Sequence, residues 1–259
     1  MGSSEKKIVL VIAEGKSDRT AFKKCINNYL VVLANSINID FEVYKTDIRL
    51  HNFCCDKVIP TDDIDDTDLR KRIVDSISGF LNEQKAYNIT IKDIIAVAIL
   101  CDLDACYCKD DDVVSVPAFN GKYDLANKKI NTTDVPYQRE LNRWKRDSHD
   151  LLKSINKIEY DKMFVPVKSF YQSINLEHIT ANDPNIEDQS IKNSKARDFR
   201  NYYQNKPNDF YQLMHSLSKI GTDFASSWNK LDLANKSFDC MSNIIYLLEW
   251  IITIATACK

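Results

Sequence analysis

Four carboxylates that follow apolar segments are the residues of this chain best suited to chemistry. They are Glu14, Asp18, Asp102 and Asp104. Like charges a few ångströms apart repel strongly where water is scarce, and a hard divalent cation such as Mg²⁺ or Mn²⁺ removes that conflict. Metal ions held by carboxylates can activate water and stabilise the leaving oxygen of a phosphodiester. The four acids therefore predict a catalytic divalent-metal site, at which Lys16 could neutralise a phosphate.

Two strands and one helix must position these acids. The runs 8–13 and 94–100 are continuously apolar, which is typical of central strands in a parallel sheet covered on both faces. In such a sheet the functional crevice lies beyond the carboxyl ends of the strands, so acids that follow both runs are expected in one crevice. A helix predicted from about Asp18 to Ala34 returns Asp18 to the same edge, and Gly15 lets a phosphate or metal approach the turn.

The remaining periodicities predict an α/β domain followed by helices. Further strands are expected over 39–44 and 163–167, and further helices over 69–80 and 136–156. The alternation of strands and helices implies a mostly parallel, Rossmann-like sheet flanked by helices, with right-handed crossovers. The segment 105–135 loses periodicity and is expected to be an insertion. We therefore predict an α/β domain over 1–168 and a mainly helical region over 169–259.

Net charge limits how the chain could bind nucleic acid. The formal charge of −2 and the pI near 6.1 argue against a generally basic protein, so phosphate contacts must come from local patches. The candidate contacts are Arg139, Arg143, Arg146, Lys195, Arg200 and His178. A solvated helix face is the alternative for the arginines and lysines. His178 and its neighbour Glu177 could instead act in general acid–base catalysis.

Eight cysteines and one long apolar stretch bear on the location of the protein. No secretory signal is recognised, so reduced thiols in a cytoplasmic protein are the expected state. Zinc binding is an alternative, although the spacing lacks a Cys-x-x-Cys. Its ligands would come from His51, Cys54, Cys55, Cys101, Cys106 and Cys108. The apolar stretch 244–257 is shorter than the roughly 20 residues of a membrane span, so a buried helix and no membrane association are expected.

Two segments carry a resemblance to a known family. Val-Ile-Ala-Glu-Gly-Lys-Ser-Asp at 11–18 and Ala-Ile-Leu-Cys-Asp-Leu-Asp at 98–104 together resemble the Toprim domain of topoisomerases, bacterial primases, small RNA-processing nucleases and OLD-family nucleases. The Glu-Gly-x-x-Asp form is most similar to OLD-type and related phage-defence Toprim proteins. The resemblance implies a Toprim-like fold, metal binding or acid–base chemistry by Glu14, and Mg²⁺ or Mn²⁺ binding by the Asp-x-Asp pair. Tyr107 departs from the glycine that many Toprim sequences have there.

Three classes of function stay open. The first is a Mg²⁺-dependent Toprim-type nuclease acting on DNA or RNA, including tRNA, in antiviral defence or in a mobile element. Because no Gly-x-x-x-x-Gly-Lys loop is present, the resemblance to OLD-type nucleases implies a separate ATPase partner protein. The second is a non-catalytic module of the same fold that binds nucleic acid or protein, and a homodimer is a possible assembly. The third is a haloacid-dehalogenase-like phosphatase with Asp102 as covalent nucleophile.

Overall fold

Five strands form the central sheet, whose inner strands carry the candidate acids at their carboxyl ends. The computed structural model describes residues 7–13, 15–33, 40–45, 65–118, 121–218, 221–229, 231 and 236–257. The strands of the sheet are β1 (Ile8–Ala13), β2 (Asp40–Lys45), β3 (Ile94–Asp102), β7 (Lys157–Tyr160) and β8 (Met163–Gln172). They lie in the order β2-β1-β3-β8-β7, with β7 and β8 antiparallel and the other neighbours parallel. The predicted α/β class is confirmed.

Helices cover both faces of this sheet. They are α1 (Lys16–Leu33), α2 (Asp66–Glu83), α3 (Val135–Ser154), α4 (Leu176–Ala181), α5 (Gln189–Tyr203), α6 (Pro207–Leu217), α7 (Phe224–Asn229) and α8 (Ile244–Ala257). One face packs on α1, α5, α6 and α8, and the opposite face packs on α2 and α3. Because β1 and β3 are covered on both sides, almost every residue in them is buried, as their apolar sequences predict.

The insertion predicted over 105–135 contains a small sheet of its own. Its strands are β4 (Val113–Ser115), β5 (Tyr123–Asp124) and β6 (Lys129–Thr132), in the order β4-β6-β5. Strands this short leave too few residues for an alternating pattern to predict them. Tyr123 and Ile130 pack with Ile174 and Phe238, which follow the central sheet. The insertion is therefore attached to the main body by an apolar core.

The chain after the central sheet is mainly helical, from α4 to α8. The predicted division at 168/169 falls within β8, which continues to Gln172. Helices α5, α6 and α8 then pack in the same apolar core as α1, β1 and β3. Ile244, Leu248 and Ile251 place the apolar face of α8 in that core. Among the described residues, no helix combines the length and the apolar character needed to cross a membrane.

Candidate metal centre

Asp18 is held in a buried position in the first turn of α1, where it is 5% exposed. Its Oδ2 accepts a hydrogen bond from the Gly15 N–H at 3.1 Å, and its Oδ1 accepts one from Gln172 Nε2 at 3.0 Å. A Cβ at position 15 would lie 2.8 Å from Asp18 Oδ2 and would displace the carboxylate. The Gly-x-x-Asp spacing thus brings the Asp18 carboxylate against the end of the sheet.

Gln172 connects Asp18 to Asp102. Gln172 ends β8 and is the strand partner of Asp102, which ends β3. Partners in parallel strands project from the same face, and Leu100 and Phe170, two residues earlier, both pack in the core that includes α1. Asp102 and Gln172 therefore project toward the α1 side of the sheet. Asp18, which accepts a hydrogen bond from Gln172, and Asp102 therefore lie at the same end of the sheet.

Glu177 adds a second buried carboxylate to this corner of the sheet. It lies in the first turn of α4 and is 5% exposed, with its Oε2 3.7 Å from Lys192 Nζ. Burial raises the pKa of Asp18 from 3.8 to about 6, the hydrogen bond from Gln172 opposes that rise, and the charge of Glu177 adds to it. From the sequence, Glu177 and His178 are predicted to reach the crevice as a general acid or base or as a phosphate contact, and the effect of Glu177 on Asp18 is not predicted. Its approach to Asp18 depends on how α4 packs and has no signature in local sequence.

The pKa of Asp18 predicts a distinctive dependence of stability on pH. The unfolded chain loses this proton near pH 3.8 and the folded chain near 6, so the folded state loses stability as pH rises between these values. The full loss, roughly 3 kcal/mol, should persist above about pH 6. In Asp18→Asn this component should vanish, so the free energy of unfolding should fall less between acid and neutral pH than in wild type. Urea denaturation at a series of pH values measures the difference.

A surface variant serves as the control for this titration. Asp111 is exposed, so Asp111→Asn should leave the dependence of stability on pH as in wild type. Equal slopes for wild type and Asp18→Asn would contradict a raised pKa at Asp18.

Asp104 has different neighbours from Asp102. Its backbone is in the left-handed region, with φ of 51°, and its N–H donates to the Ile174 carbonyl at 2.9 Å. The Tyr123 hydroxyl donates to Oδ1 at 3.0 Å, and Lys145 Nζ forms an ion pair with Oδ2. Lys145 lies on α3 and is 4% exposed. A cation at Asp104 would therefore compete with a buried ammonium group, which the Asp-x-Asp pattern alone does not predict.

Glu14 and Lys16 are the two remaining candidate residues of the acidic site. Glu14 lies outside the described residues, although its chain neighbour Ala13 is the strand partner of Leu100. Lys16 is exposed at the start of α1. Within the ranges that the structure describes, no group of three or more His, Cys, Asp or Glu side chains could hold a metal ion. The four-carboxylate site stays a prediction that includes Glu14.

The three arginines of α3 make contacts within the protein. Arg139 Nε donates to the Asp110 carbonyl at 2.9 Å, and Arg146 Nη1 donates to the Cys106 carbonyl at 2.8 Å. Arg143 is exposed and forms ion pairs with acidic side chains of its own helix. Arg139 and Arg146 thus fasten the insertion to α3. Contact of this face with nucleic acid stays a prediction.

The other candidate nucleic-acid residues are spread over α4 and α5. Lys195 is exposed, and the Arg200 guanidinium donates to Asn201 Oδ1. His178 is buried, and desolvation lowers the pKa of its imidazole. Its Nδ1 has no hydrogen-bond partner among the described residues. A buried, neutral His178 is poorly suited to contact a phosphate directly.

The cysteines of the zinc alternative fall in two groups. Cys101, Cys106 and Cys108 are buried free thiols, and burial raises the pKa of Cys108 to about 12. Because zinc binds the thiolate form, this environment does not favour Cys108 as a ligand. His51, Cys54 and Cys55 lie outside the described residues.

Comparisons with known proteins assign no family to this chain. No protein-family model matches it, and neither the curated proteins nor the solved structures include a match. The residues at the corner of the sheet are therefore the basis of the function proposed below.

Proposed function

We propose that this protein is a metal-dependent nuclease that hydrolyses phosphodiester bonds of DNA or RNA. The observation that carries the proposal is the juxtaposition of two buried carboxylates, Asp18 and Glu177, beside the end of β3 that bears Asp102. The charge of Glu177 adds to the burial that raises the pKa of Asp18, and a nearby cation would favour the ionised form of Asp18. A divalent cation would offset their charge, since Mg²⁺ and Mn²⁺ prefer oxygen ligands.

The residues that would hold the cation come from three separate segments. Asp18 and Glu177 are the interacting pair of acids among the described residues, and Asp102 and Glu14 join them by resemblance to the Toprim domain. The cation would supply an activated water and stabilisation of the leaving oxygen. Gln172 positions Asp18 through its hydrogen bond, and Lys16 would neutralise a substrate phosphate. Asp104 would become a metal ligand only if its ion pair with Lys145 were broken.

The Toprim-like identity of the fold is part of the proposal. Its support is topological, because Gly15 and the Asp-x-Asp pair follow β1 and β3, which are adjacent parallel strands. By resemblance to OLD-type nucleases, the partners would be nucleic acid and a separate ATPase protein, in antiviral defence.

The experiment that tests the function uses the purified full chain. Supercoiled plasmid, single-stranded DNA and total tRNA are each incubated with protein and Mg²⁺ or Mn²⁺, and parallel samples contain EDTA. We expect cleavage of at least one substrate with metal and none with EDTA. Intact substrates in every metal-containing sample, or cleavage that persists in EDTA, would count against the proposal.

The ion pair between Asp104 and Lys145 favours one alternative, a non-catalytic module that binds nucleic acid or protein. Lys145 balances the charge of Asp104, one acid of the Asp-x-Asp motif, so this predicted metal ligand already has a positively charged partner. Binding of tRNA or DNA that is equally tight with and without EDTA, with no cleavage, would support this module. Binding that requires metal would support the nuclease.

A further inference from the structure

Two lysines converge near Asp104, at the junction of α3 and the small sheet. Lys145 reaches Asp104 from α3 and forms a buried ion pair with its Oδ2. Lys122 directly precedes β5, and its Nζ lies 5.3 Å from the ring centroid of Tyr123. The hydroxyl of that same ring donates to Asp104 Oδ1 at 3.0 Å. Both ammonium groups therefore belong to one polar cluster that includes Asp104.

The backbone that carries Lys122 is fixed by Asn185. The Tyr123 N–H donates to Asn185 Oδ1 at 2.8 Å, and Asn185 Nδ2 donates to the Tyr123 carbonyl at 2.9 Å. Gly121 has φ of +99°, and a Cβ there would lie 2.6 Å from Asn185 Cγ. The Asn131 N–H donates to the Lys122 carbonyl at 2.8 Å. The backbone on both sides of Lys122 is thus held in place by hydrogen bonds.

Lys122 differs from Lys145 because no carboxylate of the described residues forms an ion pair with it. Asp104 is shared by Lys145 and the Tyr123 hydroxyl, and Lys122 forms no ion pair with any residue in the described ranges. Lys122 is half-buried, and desolvation lowers the pKa of its ammonium group, an effect that the charge of Asp104 opposes. A half-buried ammonium without a counter-ion favours the uptake of an anion.

The position of the cluster indicates which anion it would take. Only Leu103 separates Asp104 from the end of β3, where Asp102 belongs to the proposed metal centre. A substrate phosphate at that centre would carry negative charge toward the lysines. Lysine ammonium groups bind phosphate as point charges, with several donors each.

We propose that Lys122 and Lys145 form a phosphate subsite beside Asp104, with Lys122 as the group that contacts the phosphate oxygens. That the phosphate belongs to a nucleic acid rests on the proposed nuclease function. Binding of phosphate itself does not depend on that function, because it needs no divalent metal.

The test measures binding of inorganic phosphate to the full chain in EDTA, by ³¹P NMR titration. Lys122→Gln should weaken phosphate binding about tenfold or more, since it removes the charge at nearly constant size. Lys109→Gln is the matched control, because Lys109 is an exposed lysine of the same insertion, and it should bind within about twofold of wild type. Lys122→Arg, which keeps the charge, should restore most of the affinity and shows that the loss in Lys122→Gln is not caused by misfolding.

Two results would overturn the subsite. One is a wild-type chain that does not bind phosphate, and the other is Lys122→Gln binding as tightly as wild type. The nuclease proposal is tested separately. If the chain binds phosphate through Lys122 but cleaves no substrate, the phosphate subsite is supported and the nuclease proposal is contradicted. If the chain cleaves a substrate with metal and Lys122→Gln binds phosphate as tightly as wild type, the nuclease proposal is supported and the phosphate subsite is contradicted.

Short oligonucleotides with and without a 5′-phosphate then identify the source of the phosphate. Stronger displacement of inorganic phosphate by the 5′-phosphorylated strand would support a terminal group as the ligand, and equal displacement would support a backbone diester. Displacement by neither strand would overturn nucleic acid as the source.

Discussion

Asp102→Asn is expected to reduce metal-dependent cleavage on the order of 10³-fold, because the loss of a charged metal ligand removes several kcal/mol of transition-state stabilisation. Asp102 ends β3 and shares the corner of the sheet with Asp18, while the substitution preserves the size of the side chain. Initial rates of cleavage, on the substrate found to be cut and with saturating Mg²⁺, measure the effect.

Asp111→Asn is the matched control for this substitution. It also removes one carboxylate, at an exposed position of the neighbouring insertion, and should cleave at the wild-type rate. Thermal unfolding of both variants checks that each is folded. If a folded Asp102→Asn variant cleaved at the wild-type rate, Asp102 would have no part in the reaction.

The second large effect is expected on stability. Lys145→Met should lower the free energy of unfolding by about 3–5 kcal/mol, because it leaves the Asp104 carboxylate without its buried ion partner. The side chains of Lys145 and Asp104 are 5% and 17% exposed, so water compensates little of the loss. Urea denaturation at neutral pH measures the change.

A double variant separates the loss of the ion pair from the loss of packing. Asp104→Asn keeps a residue that tolerates the left-handed backbone at this position. The double variant Lys145→Met/Asp104→Asn has neither charge of the ion pair, so no charge is buried without a partner. Its loss of free energy of unfolding should therefore be smaller than the sum of the losses in the two single variants. Additive losses would mean that the two charges do not depend on each other.

The parts of the fold that sequence could predict are those with local periodicity. The apolar runs of β1 and β3 indicated buried central strands, and both are confirmed at the centre of the sheet. The spacing of Leu69, Ile73, Ile77 and Phe80 indicated the buried face of α2, and all four are buried. In each case the burial pattern repeats along a single element, so neighbouring residues are sufficient to predict it.

The parts that sequence could not predict depend on contacts between distant segments. Nothing in the sequence around Lys145 distinguishes it from Arg146, yet Lys145 is buried against Asp104 and Arg146 holds the insertion. Gln172 connects Asp18 to Asp102 only because β8 pairs with β3 in one register. That register is a property of the whole sheet and leaves no motif at any one of the three positions.

Direct measurement of Mn²⁺ binding tests whether acids from separate segments hold one cation. Calorimetric titration at neutral pH should show binding by the wild-type chain that weakens about tenfold or more in both Asp18→Asn and Asp102→Asn, and that is unchanged in Asp111→Asn. The two affected residues belong to different elements, α1 and β3, so a shared loss would mean a shared ion. Mn²⁺ binding that is absent from wild type, or that neither Asp18→Asn nor Asp102→Asn weakens, would contradict the metal centre.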